Sequence, residues 1–312
     1  ISSIFDLVKR IDLRSVNKKT IESLALGGGF DSFEGVHRAQ YFAEQDSGGI
    51  FLEKIIKYGN KYQENKNSTQ VSMFDMLEGD ESAQIEEPPI PSCPEWGTLE
   101  KLNREKEVVG IFISGHPLDD FSLEIKSFAK GNLSHLQDVQ KYKGAQLSLV
   151  GICTAAQERM TKKNTPFGIL QVEDYSNSHE FFVFGEDYIK FRPYFVAGQF
   201  LFIQGSVQPK KWSKDPNDVE FRINSIELLS ELREKKAKGI TLTIDSNDVT
   251  EKLINEITEI INNHTGKYTL GFNLTDKKEG TIGLQVRTKK VELSNEFISN
   301  LEEIKEINYK IV

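Results

Sequence analysis

Between Gln63 and Pro94 the chain largely gives up regularly spaced apolar residues and becomes polar, acidic and proline-bearing, with Pro88, Pro89, Pro91 and Pro94 close together. No single hydrophobic core can run through such a stretch, because it has too little apolar surface to offset the ordering of its backbone. It reads as a mobile linker, and it makes the chain multi-domain. The length, 312 residues, suits two or three domains. A hydrophobic fraction of 38% and a charged fraction of 28% suit several small cores better than one large one.

Before the linker, Ile4, Leu7, Val8 and Ile11 have helical spacing. Asn17 is a good N-cap for a second helix through Ile21, Leu24 and Ala25, which Gly27-Gly28-Gly29 stops by supplying a left-handed cap. A further helix is predicted over about 36–62. After the linker, Trp96, Leu99, Leu102, Val109 and Phe112 predict a helix ending at the Gly115-His116-Pro117 turn. From Gln146 the period changes to that of strands, near 146–157, 167–173, 179–184, 200–208 and 219–229, with a short helix over 186–195. Five strands with a helix between the third and fourth match the OB fold, a small Greek-key barrel. The tail reads strand, helix, strand, strand, helix, strand, the order of a split βαβ domain, expected to fold as its own unit. The expected division is a helical part over 1–62, a linker over 63–95, a helical connector over 96–140, an OB domain over 141–232 and an α+β tail domain over 238–312.

The sharpest local feature is Gln70-Val71-Ser72-Met73-Phe74. Two large apolar side chains, Met73 and Phe74, stand in a linker that otherwise avoids them, as binding anchors do in a segment that orders on docking. The pattern resembles the sliding-clamp-binding motif of bacterial polymerases. In that motif the glutamine amide, here Gln70, bonds the rim of a clamp pocket. The residues corresponding to Met73 and Phe74 fill the pocket, and Ser72 belongs to the same motif.

A wider resemblance surrounds it. Phe5-Asp6-Leu7, Arg14-Ser15-Val16-Asn17-Lys18-Lys19, Ile21-Glu22-Ser23-Leu24 and Gly28-Gly29-Phe30-Asp31 are similar to the helix-hairpin-helix region of the bacterial DNA polymerase III alpha subunit, a replicative C-family polymerase. Leu102, Glu105, Lys106, Glu107, Val109 and Gly110, then Ile113-Ser114-Gly115-His116-Pro117-Leu118, resemble that family's link into its OB domain. Met160-Thr161-Lys162-Lys163-Asn164, Val172-Glu173-Asp174 and Val183-Phe184 resemble its OB strands and first loop. The likeness keeps the family's order over about three quarters of the chain. It implies that the parent chain is a DNA-directed DNA polymerase, a nucleotidyltransferase, and that the tail is where the clamp loader's tau subunit binds. The family's first DNA-contacting hairpin and its palm aspartates have no counterpart here. The chain opens on Ile1 and reads as a fragment of something longer.

The two loops that flank an OB cleft carry cations beside aromatics: Arg159, Lys162 and Lys163 next to Phe167, and Lys210, Lys211 and Lys214 around Trp212. Cations follow phosphates and rings stack on bases, at about 1–3 kcal/mol per base. These residues are the expected single-stranded DNA site. Phe181, Phe182, Phe184, Phe200 and Phe202 alternate as strand residues and are expected to be mostly core.

Enzyme chemistry has little to stand on. His37, His116, His135, His179 and His264 are scattered without ligand spacing, and Cys93 and Cys153 form neither a metal motif nor a disulfide framework, which suits a reducing cytoplasm. No catalytic residues, metal or cofactor are expected in this fragment, and no apolar run is long enough to span a bilayer. With a net charge of -8, any DNA contact must be a local basic patch. The expected function is a non-catalytic processivity and assembly region of a replicative polymerase, binding the sliding clamp, single-stranded template and tau. The alternative is a stand-alone OB-fold protein of tRNA binding or DNA repair.

Overall fold

Ile4, Phe5 and Val8 bury one face of α1 (Ile4–Arg10), which starts where Ser3 accepts a hydrogen bond from the Asp6 amide. α2 (Lys18–Leu26) starts at Asn17, whose side chain accepts from the Thr20 amide, and it stops at the glycine run, where Gly28 has a φ of 84°. The single helix expected over 36–62 is two, α3 (Arg38–Tyr41) and α4 (Phe51–Asn67). Gly48-Gly49 between them has poor helix propensity. The computed structural model describes residues 1–44, 48–67, 85–210, 213–276 and 278–312, and it divides into two compact units, 1–117 and 118–312.

The first unit closes over Phe5, Ile21, Tyr41, Phe51, Leu52 and Ile55, with Phe5 edge-on to both Phe51 and Tyr58. The linker expected over 63–95 is narrower than its composition suggested. Residues 63–67 continue α4, Ile85 packs against the helical core, Lys9 reaches Glu87 at 2.8 Å, and the Gln40 amide donates to the Pro91 carbonyl at 2.8 Å. α5 (Thr98–Val109) ends well before the Gly115-His116-Pro117 turn, because Gly110 takes the left-handed cap with a φ of 88°.

The second unit opens with a 3-10 turn, Asp119–Phe121, α6 (Ser122–Phe128) and a 3-10 segment, Leu133–Tyr142, so the connector expected over 96–140 straddles the division between units. β1 (Gln146–Met160), β2 (Pro166–Glu173), β3 (Ser178–Phe184), β4 (Phe200–Pro209) and β5 (Val219–Leu228) form an antiparallel sheet in the order β3-β2-β1-β4-β5, with α7 (Gly185–Phe191) between β3 and β4. Leu149, Leu170, Val172, Phe181, Val183, Leu201 and Ile203 are on the inner face. On the outer face, Val150 and Phe202 are buried with Leu118, Leu229 and Leu232 under α6 and α8 (Leu229–Lys236).

The tail adds β6 (Gly239–Asp245), α9 (Glu251–Asn263), β7 (Thr265–Asp276), β8 (Gly280–Val291), α10 (Asn295–Glu302) and β9 (Ile307–Ile311). The element order is the expected one, but the arrangement is not split. β6 and β7 pair directly and in parallel, and the sheet runs β8-β7-β6-β9. The short β7–β8 connection keeps β8 on the outer side of β7, β9 takes the far side of β6, and no strand lies between the halves of the βαβ unit. The tail also shares its core with the connector, since Leu123 of α6 is buried among Leu242, Leu270 and Phe297.

Candidate nucleic-acid interface

β1 is too long to stay under one cover. Its first half is roofed by α6 and α8; a bulge between Cys153 and Ala155 then resets the alternation, so Gln157 and Arg159 face outward beyond the roof. β1 register puts Arg159 opposite Phe167 and Gln157 opposite Ile169, and β2 register puts Phe167 opposite Phe184 and Ile169 opposite Phe182. Three strands therefore present two continuous rows, Arg159–Phe167–Phe184 and Gln157–Ile169–Phe182. Phe182 and Phe184 are each 54% exposed. The rings of Phe167 and Phe184 stack with centroids 4.9 Å apart and planes 18° apart, and the Arg159 guanidinium donates to the Gln157 side chain at 2.8 Å.

The β1–β2 connection extends this surface with charge. It is a tight turn: the Thr161 amide donates to the Thr165 carbonyl, the Asn164 amide to the Thr161 carbonyl, and Asn164 adopts a φ of 58°. Lys162 and Lys163 stand exposed on it. Among the described residues Arg159, Lys162 and Lys163 make no ion pair, which leaves their charges available to a ligand.

The second predicted loop is different. Lys211 and Trp212 lie outside the described residues. Lys210 is not an available cation, since its ammonium is 2.7 Å from the Asp218 carboxylate. That pairing holds the Asp218 carboxyl below its usual range. Lys210 lines a groove of about 610 Å³ between the free edges of β3 and β5, together with Glu180, Asp187, Glu220 and Arg222. Arg222 is 3.5 Å from Asp187. With its two cations paired and two further acids present, the groove does not favour phosphate. Burial holds the His179 imidazole there below its usual pKa, edge-on to Phe181.

Of the residues expected at the DNA site, Arg159, Lys162, Lys163 and Phe167 lie together here, whereas Phe182 and Phe184, expected in the core, are exposed beside them. Strict period two in Phe181-Phe182-Val183-Phe184 was the available signal: Phe181 and Val183 point inward, so their neighbours cannot. Gln70, Ser72, Met73 and Phe74 lie outside the described residues. In the first unit, Glu105 and Ser114 do come together, joined by Arg38, which nothing in the sequence singles out. Arg38 donates to Asp31 at 2.6 Å, to Glu105 at 2.9 Å, to Ser114 at 2.9 Å and to the Leu26 carbonyl at 3.1 Å. Among the described residues no group of three or more His, Cys, Asp or Glu side chains could hold a metal ion, and no helix is long and apolar enough to cross a membrane.

Residues 240–312 match the family described as DNA polymerase III alpha subunit, C-terminal domain, and residues 1–41 match a helix-hairpin-helix motif. Curated relatives include DNA polymerase III subunit alpha of Vibrio cholerae, 26% identical over 263 residues, and of Escherichia coli (strain K12), 25% identical over 262 residues; each match covers 84% of this chain and 21% of the relative. The protein of the same name in Borreliella burgdorferi is 28% identical over 267 residues, covering 84% of this chain and 22% of the relative. The chain thus spans about a fifth of the length of these relatives. Among solved structures, an asparaginyl-tRNA synthetase of Entamoeba histolytica aligns over 46% of this chain and 39% of that chain at 12% identity and a TM-score of 0.20, a likeness that carries no argument. By its ordered matches at both ends and across most of its length, the chain is similar to the C-terminal region of bacterial DNA polymerase III alpha subunits.

Proposed function

We propose that this chain is a non-catalytic processivity and assembly region of a replicative polymerase, holding single-stranded template on the outer face of β1–β3. One observation carries the reading: Arg159, Phe167 and Phe184 form a row beside a second row of Gln157, Ile169 and Phe182, next to a turn bearing Lys162 and Lys163. Rings on a sheet face accept bases without regard to sequence, and unpaired cations at one end follow the backbone. The sheet order supports an OB assignment, in which the face of strands 2 and 3 and the loop between strands 1 and 2 bind oligonucleotides. The gap between β3 and β5 is then where the barrel stays partly open.

Oligonucleotide binding across a salt series tests this. Alanine at Arg159, Lys162 and Lys163 lowers the slope of log affinity against log salt by about 0.7 for each phosphate that is no longer neutralised. Alanine at Phe182 and Phe184 weakens binding by about 1–3 kcal/mol per stacked base and leaves the slope alone. An unchanged slope in the triple variant removes this face as the DNA site.

Two protein partners complete the proposal. The apolar pair Met73 and Phe74, with Gln70 and Ser72, docks the sliding clamp, and the tail domain captures the clamp loader's tau subunit. Tethering to a clamp raises the local concentration of the polymerase at the template. Replacing Met73 and Phe74 with alanine costs about 2–4 kcal/mol of clamp affinity in calorimetry, the usual loss for pocket anchors. Clamp binding that survives the double substitution rules the motif out.

A further inference from the structure

Sheet edges in stable proteins are shortened, charged or covered, because their unpaired amides and carbonyls accept another strand. The edge formed by β9 follows that rule. It is five residues long, carries Lys310, and lies beside the Lys126–Glu302 ion pair, whose carboxylate also accepts from the Tyr309 hydroxyl. The first half of the opposite edge, β8, does not. The strand runs for 12 residues, and all of them but Val286 and Val291 are exposed. Residues 280–285 stay in register with β7 from Asp276 to Gly271 and contain no charged side chain.

The side chains of this segment are as unusual as its backbone. Leu284 lies opposite Phe272 and Ile282 opposite Leu274, on the face that α9 covers elsewhere in the sheet, yet they are 50% and 65% exposed. Between Leu284 and α9 is an apolar groove of about 300 Å³, walled on the helix side by Leu253, Ile254 and Ile257, with Val249 just before the helix. The sheet ends one strand short of covering this groove. Beyond the uncharged stretch come Arg287, Lys289 and Lys290, all exposed and, among the described residues, without an ion-pair partner; Lys289 only donates to Asn262. No acidic residue occurs from 280 to 291, although the chain as a whole carries a net charge of -8.

From the free edge, the open apolar face and the unpaired cations, we infer that β8 is a strand-addition site for an extended segment of a partner protein, one that alternates apolar and polar residues and carries acidic residues at its N-terminal end. Backbone hydrogen bonds to the edge supply affinity, and alternate side chains reaching the groove supply selectivity. Antiparallel addition, slightly the more stable pairing, sets the partner's N-terminal end beside Arg287, Lys289 and Lys290.

The inference rests on reading the tail as a protein-docking domain, and the test separates the two. The probe is a synthetic twelve-residue peptide with an acidic N-terminal third followed by alternating Val and Thr, measured against the full chain by fluorescence anisotropy and hydrogen exchange. Expected are slowed exchange within 280–286, binding about tenfold weaker when the acids are replaced by Asn and Gln, the order of a few modest ion pairs, and loss of binding in the Ile282→Asp/Leu284→Asp variant. Both substituted positions are at least half exposed, so the variant keeps its fold. Lys289→Glu/Lys290→Glu removes the preference for the acidic peptide. Equal binding of the two peptides, binding unaffected by either variant, no binding, unslowed exchange at 280–286, or dimerisation through β8 in sedimentation overturns the site. Tau capture that survives deletion of 238–312 overturns the docking role of the tail; capture lost on deletion but unchanged in Ile282→Asp/Leu284→Asp overturns the β8 site alone.

Discussion

Arg38 keeps its full charge while 4% exposed, and the groups around it account for that. Asp31 and Glu105 oppose the charge, and the Leu26 carbonyl and Ser114 hydroxyl take the remaining donors. Glu105 is fully buried and just as well satisfied, accepting from Arg38, the Ser114 hydroxyl and the amides of Ile113 and Ser114. Burial pushes its carboxyl up, but the hydrogen bonds from Ser114, Arg38 and Ile113 together outweigh burial, and the pKa falls to about 2. The folded value lies below the unfolded one, so this contribution is complete above the ordinary carboxylate pKa and is lost as pH falls from there towards about 2. Urea unfolding followed through Trp96 in a Trp212→Phe background is expected to show that acid-side loss in the parent chain and to lack it in Glu105→Gln, which cannot titrate. Glu105→Ala removes one of the two carboxylates opposing the buried guanidinium and the acceptor of the Ile113 and Ser114 amides, and costs about 3–5 kcal/mol, as broken buried pairs do. A cost below about 1 kcal/mol would mean that water replaces the carboxylate.

At the scale of elements, what the sequence disclosed and what it hid have separate physical causes. All five strands of the central sheet and the helix after β3 fall where alternation and turn residues place them, since those signals are local. Pairing is not local. Nothing in the tail's element order distinguishes β6 paired to β7 from β6 separated from it, and the observed sheet is the unsplit one. The β1 bulge was equally hidden: one extra residue between Cys153 and Ala155 turns Gln157 and Arg159 to the open face, although counting by twos from Leu149 puts them inside. Lys210 shows the opposite failure, a cation visible in the sequence whose partner, Asp218, becomes a neighbour only when β4 and β5 pair. Its pairing predicts that Lys210→Ala leaves the salt slope of oligonucleotide binding unchanged, in contrast to Lys162→Ala and Lys163→Ala. A slope reduced by about 0.7 in Lys210→Ala would show that phosphate displaces Asp218.

At the scale of the molecule, a net charge of -8 keeps long-range attraction for DNA weak, so the proposed contact through the unpaired cations of the β1–β2 turn is a short-range one. The same scale decides how the tail relates to the rest. The element order suggested a tail folding alone, whereas 118–312 is one compact unit. Arg233 of α8 is its bolt: the guanidinium donates to the Glu124 carboxylate of α6 at 2.6 Å, to the Leu293 carbonyl and to the Asn295 side chain at 2.7 Å, and Asn295 in turn donates to the Asp120 carbonyl at 2.8 Å. Glu124 is 3% exposed and its second carboxylate oxygen has no partner among the described residues, so its burial depends on Arg233. Arg233→Met keeps much of the aliphatic packing but strands that carboxylate, and it is expected to cost about 3–5 kcal/mol. The double variant Arg233→Met/Glu124→Leu recovers most of this, because replacing a buried pair by apolar groups of similar size is often neutral. Truncation after Ala237 has the larger consequence: it uncovers Leu123 and removes two of Arg233's three acceptors, so the midpoint of thermal unfolding of the remaining strand domain should fall as well. A truncated chain that melts at the midpoint of the intact one would show that the tail is a separate folding unit after all, and that Arg233 positions it without supporting the sheet beneath.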